Sequence, residues 1–430
     1  MSQRNCPMGA SVVLIDKVDT LQRVLRSKSV ENIADVSADN YRQRTELGDT
    51  NVREFQDGNL SMLNGDAHRH RRKHLNALVR PDQLIRFRED VVVPSVERWL
   101  ARSVTVHQDG TVRCDLSEVV ERTFLEFTAK LIGLEDIETE ERMTRLRSCC
   151  VPMFAGLSAS HFADREAVTT AGLEAKKIFV DEYYRPAFNA LQAKLAAARE
   201  AGSDTENLEN SLLFMIATGI DELYLDERNA IIEAILMFVA TTGTSVQAVI
   251  STINELMDWL EHHPEDWARV EDLDFLSAAL QETLRLRAPF VSYLTRLAME
   301  DFEVNGCPIK AGDEIHALIP RAGRDEEVFG ADAHQFNPRR EVPKGVNRYG
   351  LAFGGGPHQC LGLRVVLGND GLGGSHIRLL QHFFKAGVRR SPDESPEILA
   401  MGEMEVADNI PTYVSYPVVF TKWDRVSGRH

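Results

Sequence analysis

The chain has 430 residues, 43% of them hydrophobic and 27% charged, an ordinary globular composition with length enough for a large buried core. Its 49 Lys and Arg against 65 Asp and Glu leave a net charge of −16, which favours solubility and argues against binding nucleic acid. No apolar stretch of about 18 residues, no secretory leader pattern and six scattered cysteines argue against a membrane anchor, export and a disulfide scaffold, so the expectation is a cytoplasmic protein.

The first two-thirds of the chain read mainly as helices. Apolar residues recur at helical spacing over 92–100, 116–134 and 173–199, the last stopping near Gly202. The adjacent Cys149 and Cys150 read as core filling on a helix, and Met153, Phe154, Leu157 and Phe162 are apolar and read as core packing. A long helix is expected over Glu227–His262, with Asp226 as N-cap and Pro264 as a stop. Its centre, Ala234 to Ala240, is apolar nearly all round and should cross the core. Thr241-Thr242-Gly243-Thr244-Ser245 follows, a poor helix sequence at a place suited to a ligand or to a local distortion by Gly243.

A further helix over 276–287 stops before Pro289. Phe302–Val304 and Cys307–Ile309 flank Asn305-Gly306, a hairpin turn, and 314–318 alternates like a strand. An irregular stretch over 324–357 then leads into a cysteine loop, and long loops inside a folded chain tend to carry function. The expectation is a mainly α fold with a smaller β-rich part, forming one domain over 1–430 with no fused reductase.

That loop reads Phe353-Gly354-Gly355-Gly356-Pro357-His358-Gln359-Cys360-Leu361-Gly362. Its glycines let the backbone pass close to a large flat ligand, and backbone N–H groups flank the cysteine. The string resembles the haem-binding signature of the cytochrome P-450 family, with Phe353, Gly355 or Gly356, His358, Cys360 and Gly362 at the signature's offsets. The resemblance runs from about residue 60 to residue 362. It implies the family fold, with Cys360 as axial thiolate ligand of haem b (iron protoporphyrin IX) and Phe353 and Gly354 among the residues lining it.

Other pieces lie in the family's order. Glu282-Thr283-Leu284-Arg285 places Glu282 and Arg285 on one helix face. The resemblance implies a buried ion pair, with Arg340 as third partner. His68 and Arg72 share a helix face within a basic run from His68 to His74, and the resemblance assigns them to the haem propionates, with Arg296 and His358. The other cations of that run are candidates for docking an acidic electron donor, whereas a metal cluster of its histidines would be repelled by the surrounding charge. Arg324-Asp325 resembles a structural pair.

Two segments depart from the family. The long helix normally carries Gly, any residue, an acid and then Thr. One alignment here puts Gly243 at the acid and Thr244 at the Thr; a second gives Ser245 and Val246; counting back from His263-Pro264 gives Gln247 and Ala248. No alignment supplies the carboxylate. Thr244 is the candidate distal hydroxyl, Gly243 and Gln247 its companions, and Phe238, Val239 and Ala240 the candidate substrate contacts. After the cysteine, Gly368, Gly371, Gly373 and Gly374 should interrupt the helix, which is expected to begin again near His376.

The resemblance implies dioxygen activation to hydroxylate a small organic substrate, with electrons from a separate ferredoxin or flavodoxin system. The missing acid leaves a second outcome open, in which peroxide or a substrate group supports coupling or ring formation. A haem sensor would carry a signalling or DNA-binding element, and the sequence displays neither.

Overall fold

Asn305 and Gly306 both adopt positive φ, 50° and 75°, as a two-residue hairpin turn demands. The strands they join pair in the expected register, Val304 opposite Cys307 and Phe302 opposite Ile309. The computed structural model describes residues 3–5, 11–32, 50–159, 164–202, 210–223, 226–289, 293–369, 371–399 and 412–426. The chain divides into two compact units, Met1–Glu31 with Leu84–Thr123 and Thr244–His430, and Asn32–Gln83 with Phe124–Gly243.

The first unit carries the sheets. The largest is ordered Gln3–Asn5, Ser11–Ile15, Glu314–Ala317, Leu294–Ala298, Val30–Asn32. Ser11–Ile15 runs parallel to Glu314–Ala317, and Leu294–Ala298 lies antiparallel on its other side. Val13, Ile15, Ile315 and Ala317 of this sheet share a core with Leu21 and Val24 of helix Val18–Arg26. A four-stranded sheet is ordered Val388–Arg390, Pro417–Phe420, Val112–Asp115, Thr105–Val106, and Glu397–Leu399 pairs with Thr412–Ser415.

The second unit is helical. Cys149, Cys150 and Met153 are buried on helix Glu140–Leu157 and serve its core. That helix packs on Arg165–Phe179 through Gly156 and Gly172, where a Cβ on Gly172 would lie 3.0 Å from the Gly156 Cα. Phe162 lies outside the described residues.

The long helix spans Glu227–His262 and stays helical through Thr241–Ser245, without the distortion its sequence suggests. Thr242 is fully buried there and donates to the Phe238 carbonyl at 3.0 Å, so burial outweighs the segment's weak propensity. This helix is long and apolar enough to cross a membrane, yet most of its apolar window is buried in protein.

Other boundaries move for local reasons. Helix Leu116–Ile132 ends two residues early because Gly133 turns to φ 98°. The helix expected over 173–199 starts earlier, at Arg165 capped by the Asp164 side chain, and its segments are Arg165–Phe179 and Arg185–Glu200. A wide turn at Val180–Tyr184 joins them, next to Pro186, which has no N–H to donate. Helix Leu273–Leu286 starts earlier than expected because Asp272 caps it through the Asp274 N–H. After the cysteine, Leu363–Leu367 stops at Gly368 (φ 75°) and helix Ser375–Lys385 follows, the expected interruption.

Candidate active site

Cys360 is the exposed member of the described cysteines; Cys114, Cys149 and Cys150 are buried. Burial pushes the Cys149 thiol up to about 11 and the Cys114 thiol higher still, so neither is a ready thiolate. The Cys360 loop closes on itself: its N–H donates to the Phe353 carbonyl at 2.9 Å, and the Gly354 N–H donates to Leu351 at 2.7 Å. Phe353 is buried and meets Tyr349 edge to face at 5.0 Å. Gly354 and Gly356 take φ 64° and 65°, and a Cβ on Gly356 would collide with the Leu25 carbonyl oxygen. His358 ends a short turn and is half-buried, two residues before the sulfur.

Arg296 lies in strand Leu294–Ala298, buried, donating to the Thr295 carbonyl at 2.8 Å. Desolvation alone lowers its pKa to about 10. In the second unit, His68 is buried on helix Gly65–Leu75. Desolvation first, then the nearby Arg72 and Arg69 charges, lowers its pKa to about 4. Arg72 is half-buried and donates to Asn76 at 3.1 Å. An exposed thiol on a glycine-rich loop is the group that haem iron takes, and a buried guanidinium such as that of Arg296 is one that a propionate takes, so the residues of the first unit fit haem. Among the described residues no cluster of three or more His, Cys, Asp or Glu is set for a metal ion.

Burial sorts the long helix by face. Phe238 and Val239 are buried, with Phe238 tilted against Phe179 at 5.1 Å. Ala240, Gly243, Thr244 and Gln247 lie at helical spacing on the less buried side, and a Cβ on Gly243 would meet nothing within 4 Å. Ser245, Val246 and Ala248 face the core. Gln247 is tied to a strand: its Nε2 donates to the Tyr413 carbonyl at 2.9 Å and its Oε1 accepts the Tyr413 N–H at 2.8 Å. Both polar atoms of its amide meet that strand.

Glu282, Arg285 and Arg340 come together in the first unit. Arg285 forks onto Glu282 at 2.8 and 2.6 Å, and Arg340 reaches the same carboxylate at 2.9 Å. The remaining donors are satisfied by the carbonyls of Ala333, Phe329, Asp332 and Gln335 and by Asp332 at 2.6 Å. All three side chains are nearly fully buried, the condition under which such added bonds must offset desolvation. Asp325 accepts from Lys17 at 2.8 Å and caps helix Glu326–Phe329, while Arg324 donates to the Leu286 carbonyl at 3.0 Å.

One buried pair is missing from the sequence-based set. Arg71, between the expected ligands, bonds Glu233 at 3.3 Å, and both are buried. The signal was a lone acid inside the apolar run Ala230 to Val239.

The family model described as Cytochrome P450 matches residues 10–383. The luteothin monooxygenase of Streptomyces thioluteus is 41% identical over 107 residues, 24% of this chain and 25% of that protein. The putative cytochrome P450 140 of Mycobacterium bovis is 31% identical over 218 residues, 49% of this chain and 43% of that protein. The matches thus span less than half the length of these curated relatives. Among solved structures, the open form of cytochrome P450 EryK from S. erythraea aligns with a TM-score of 0.65 at 18% identity, covering 98% of this chain and 92% of that one. The fold is therefore that of the haem-thiolate enzymes. This chain belongs to the cytochrome P450 family.

Proposed function

We propose that this chain, acting over 1–430 as one cytoplasmic catalytic domain, is a haem-thiolate oxidoreductase that uses dioxygen to oxidise a small organic substrate. The observation that carries the reading is the exposed Cys360 thiol on a loop closed by the Phe353 carbonyl, inside the span of the family match. Haem b held by a thiolate supplies dioxygen activation, because the sulfur pushes electron density onto the iron and favours O–O cleavage.

Cys360 holds the iron, with Phe353 and Gly354 shaping the loop around it. Arg296, His358, His68 and Arg72 hold the propionates. Thr244 Oγ1 accepts and passes a proton on the side of the long helix that Ala240 and Gly243 leave clear. Glu282, Arg285 and Arg340 fix the frame from which the Cys360 loop departs. A separate ferredoxin or flavodoxin delivers electrons, with the exposed cations of the Gly65–Leu75 helix as its docking candidates.

The absence of any carboxylate from Ala240 to Gln247 favours a second outcome on the same haem, namely peroxide use or substrate-assisted coupling or ring closure. Oxygen-18 from labelled dioxygen appearing in product during NAD(P)H consumption supports hydroxylation. Product formed with no label supports coupling.

Cys360→Ser tests the core of the reading. The purified protein is expected to show the red-shifted reduced carbonyl band of thiolate ligation, and the variant to lack it. A variant that keeps that band refutes the ligand.

A further inference from the structure

Residues 50–64 form a strap held at successive points within the second unit. Phe55 is fully buried, its ring within 3.2 Å of the positions a Cβ would take on Gly156 and Gly172. Further along, Arg228 of the long helix pairs with Asp57 and the Arg53 carbonyl, and Asn229 donates to the Asp57 carbonyl at 3.1 Å. Gly58, at φ 77°, has no room for a Cβ beside the Asn229 amide. One turn on, Glu233 Oε2 accepts the Leu60 N–H at 3.0 Å and the Arg71 guanidinium at 3.3 Å, while Arg71 also donates to the Gly58 carbonyl.

The Glu233 tie differs from the others in kind. Arg228 and Asp57 are partly exposed, so their pairing is cheap to make and to break. Glu233 is fully buried, and its Oε1 has no hydrogen-bond partner among the described residues. A buried acid with one oxygen unsatisfied is costly, and an alanine or leucine would suit the apolar run better. What the acid alone provides is a shared acceptor for the strap and for the helix that carries His68.

We propose that Glu233 is a positioning residue: through the Leu60 N–H and Arg71 it fixes the strap over 57–63 and the register of helix Gly65–Leu75 on the long helix. The inference rests on the haem-thiolate reading for its consequence at His68, one turn before Arg71. Glu233 lies about two turns ahead of Ala240, where the less buried face begins.

Burial raises the Glu233 pKa to about 7, against the pull of Arg71 and the Leu60 N–H. The other charges near this tie are Asp226 acting on Arg71 along with Asp57 and Arg228 paired to each other, and Lys176 paired to Glu54. A carboxyl whose pKa is higher when held than when released favours the held state at low pH. That preference is lost as pH rises from the ordinary carboxyl value through about 7. The strap is therefore tightest when Glu233 is neutral and loosens as it ionises.

Hydrogen exchange of the Leu60 amide in the haem-loaded protein, corrected for intrinsic rates, tests this. Protection should fall with rising pH between about 5 and 7 and then level off. Glu233→Gln, which keeps the acceptor and mimics the neutral acid, should be flat over that window and at pH 8 at least about fivefold more protected than the native chain. Glu233→Ala should lose about tenfold or more at every pH. Native protection in Glu233→Ala overturns the tie, and a native pH curve in Glu233→Gln overturns its origin in Glu233. Should the alanine variant not fold, the comparison of native chain and Glu233→Gln decides alone. Haem release should be faster in Glu233→Ala than in Glu233→Gln, and equal rates overturn the link to His68. A protein that takes up no haem sinks the haem reading, while Leu60 exchange still decides the tie.

Discussion

The amide of Gln247, in the middle of the long helix, pairs with the main chain of Tyr413 as a neighbouring strand would, donating at 2.9 Å and accepting at 2.8 Å. A helix side chain thereby extends the pairing of strand Thr412–Ser415 with Glu397–Leu399 by one residue on its other edge. Gln247→Ala leaves a main-chain donor and acceptor without this partner and should cost about 1–3 kcal/mol in urea unfolding. Gln247→Glu keeps the Tyr413 N–H acceptor but turns a second oxygen toward the Tyr413 carbonyl, so it should be no more stable than the alanine variant at neutral pH. An unchanged unfolding midpoint in both would show that the strand does not depend on this side chain.

Thr242 and Thr244 separate structure from chemistry. Thr242 is buried, bonds the Phe238 carbonyl and sits 3.5 Å from the Thr128 hydroxyl. Thr242→Val should lower stability by about 1 kcal/mol and leave the ratio of product to NAD(P)H consumed near the native value. Thr244→Ala should leave stability within about 0.5 kcal/mol and cut that ratio severalfold. The reverse pattern would move the proton-handling hydroxyl to Thr242.

Removing one member of the Glu282, Arg285 and Arg340 network leaves buried charge without its counter-ion. Arg340→Ala or Glu282→Ala should lose about 3–5 kcal/mol, measured by denaturant unfolding or read as failure to accumulate folded protein. Lys177→Ala, which breaks the exposed pair to Asp181, serves as the contrast and should cost under about 1 kcal/mol.

Acid should destabilise the protein through its buried histidines. Burial lowers His376 to about 3 and His382 to about 4, against an ordinary value of 6.5. The unfolded chain takes up these protons first as pH falls. Stability is therefore fully present above pH 6.5 and declines as pH drops from there toward 4. The urea midpoint should fall across that range, and His376→Phe or His376→Leu should flatten the fall. A pH profile identical to the native one in those variants removes His376 from the account.

The cysteine loop, the Glu282–Arg285 spacing and the ends of the long helix were legible because each is a local pattern. Turn geometry demands glycine at Gly354 and Gly356, helix periodicity places Glu282 and Arg285 on one face, and Asp226 and Pro264 mark where a helix begins and ends. The wide turn inside the expected 173–199 helix was harder to see, since Pro186 sits where a helix start and a helix interior look alike.

What the sequence by itself determined is the family and the cysteine loop that points to it, because fixed offsets along a chain encode chemistry that neighbours perform together. Only the tertiary structure decided which side of the long helix stays clear of the core, that Gln247 holds Tyr413 and that Glu233 holds Arg71. Those partners lie 166 and 162 positions apart, and the burial that makes their bonds matter depends on everything packed around them. Periodicity says that a residue has a face, and only the completed fold says what that face meets.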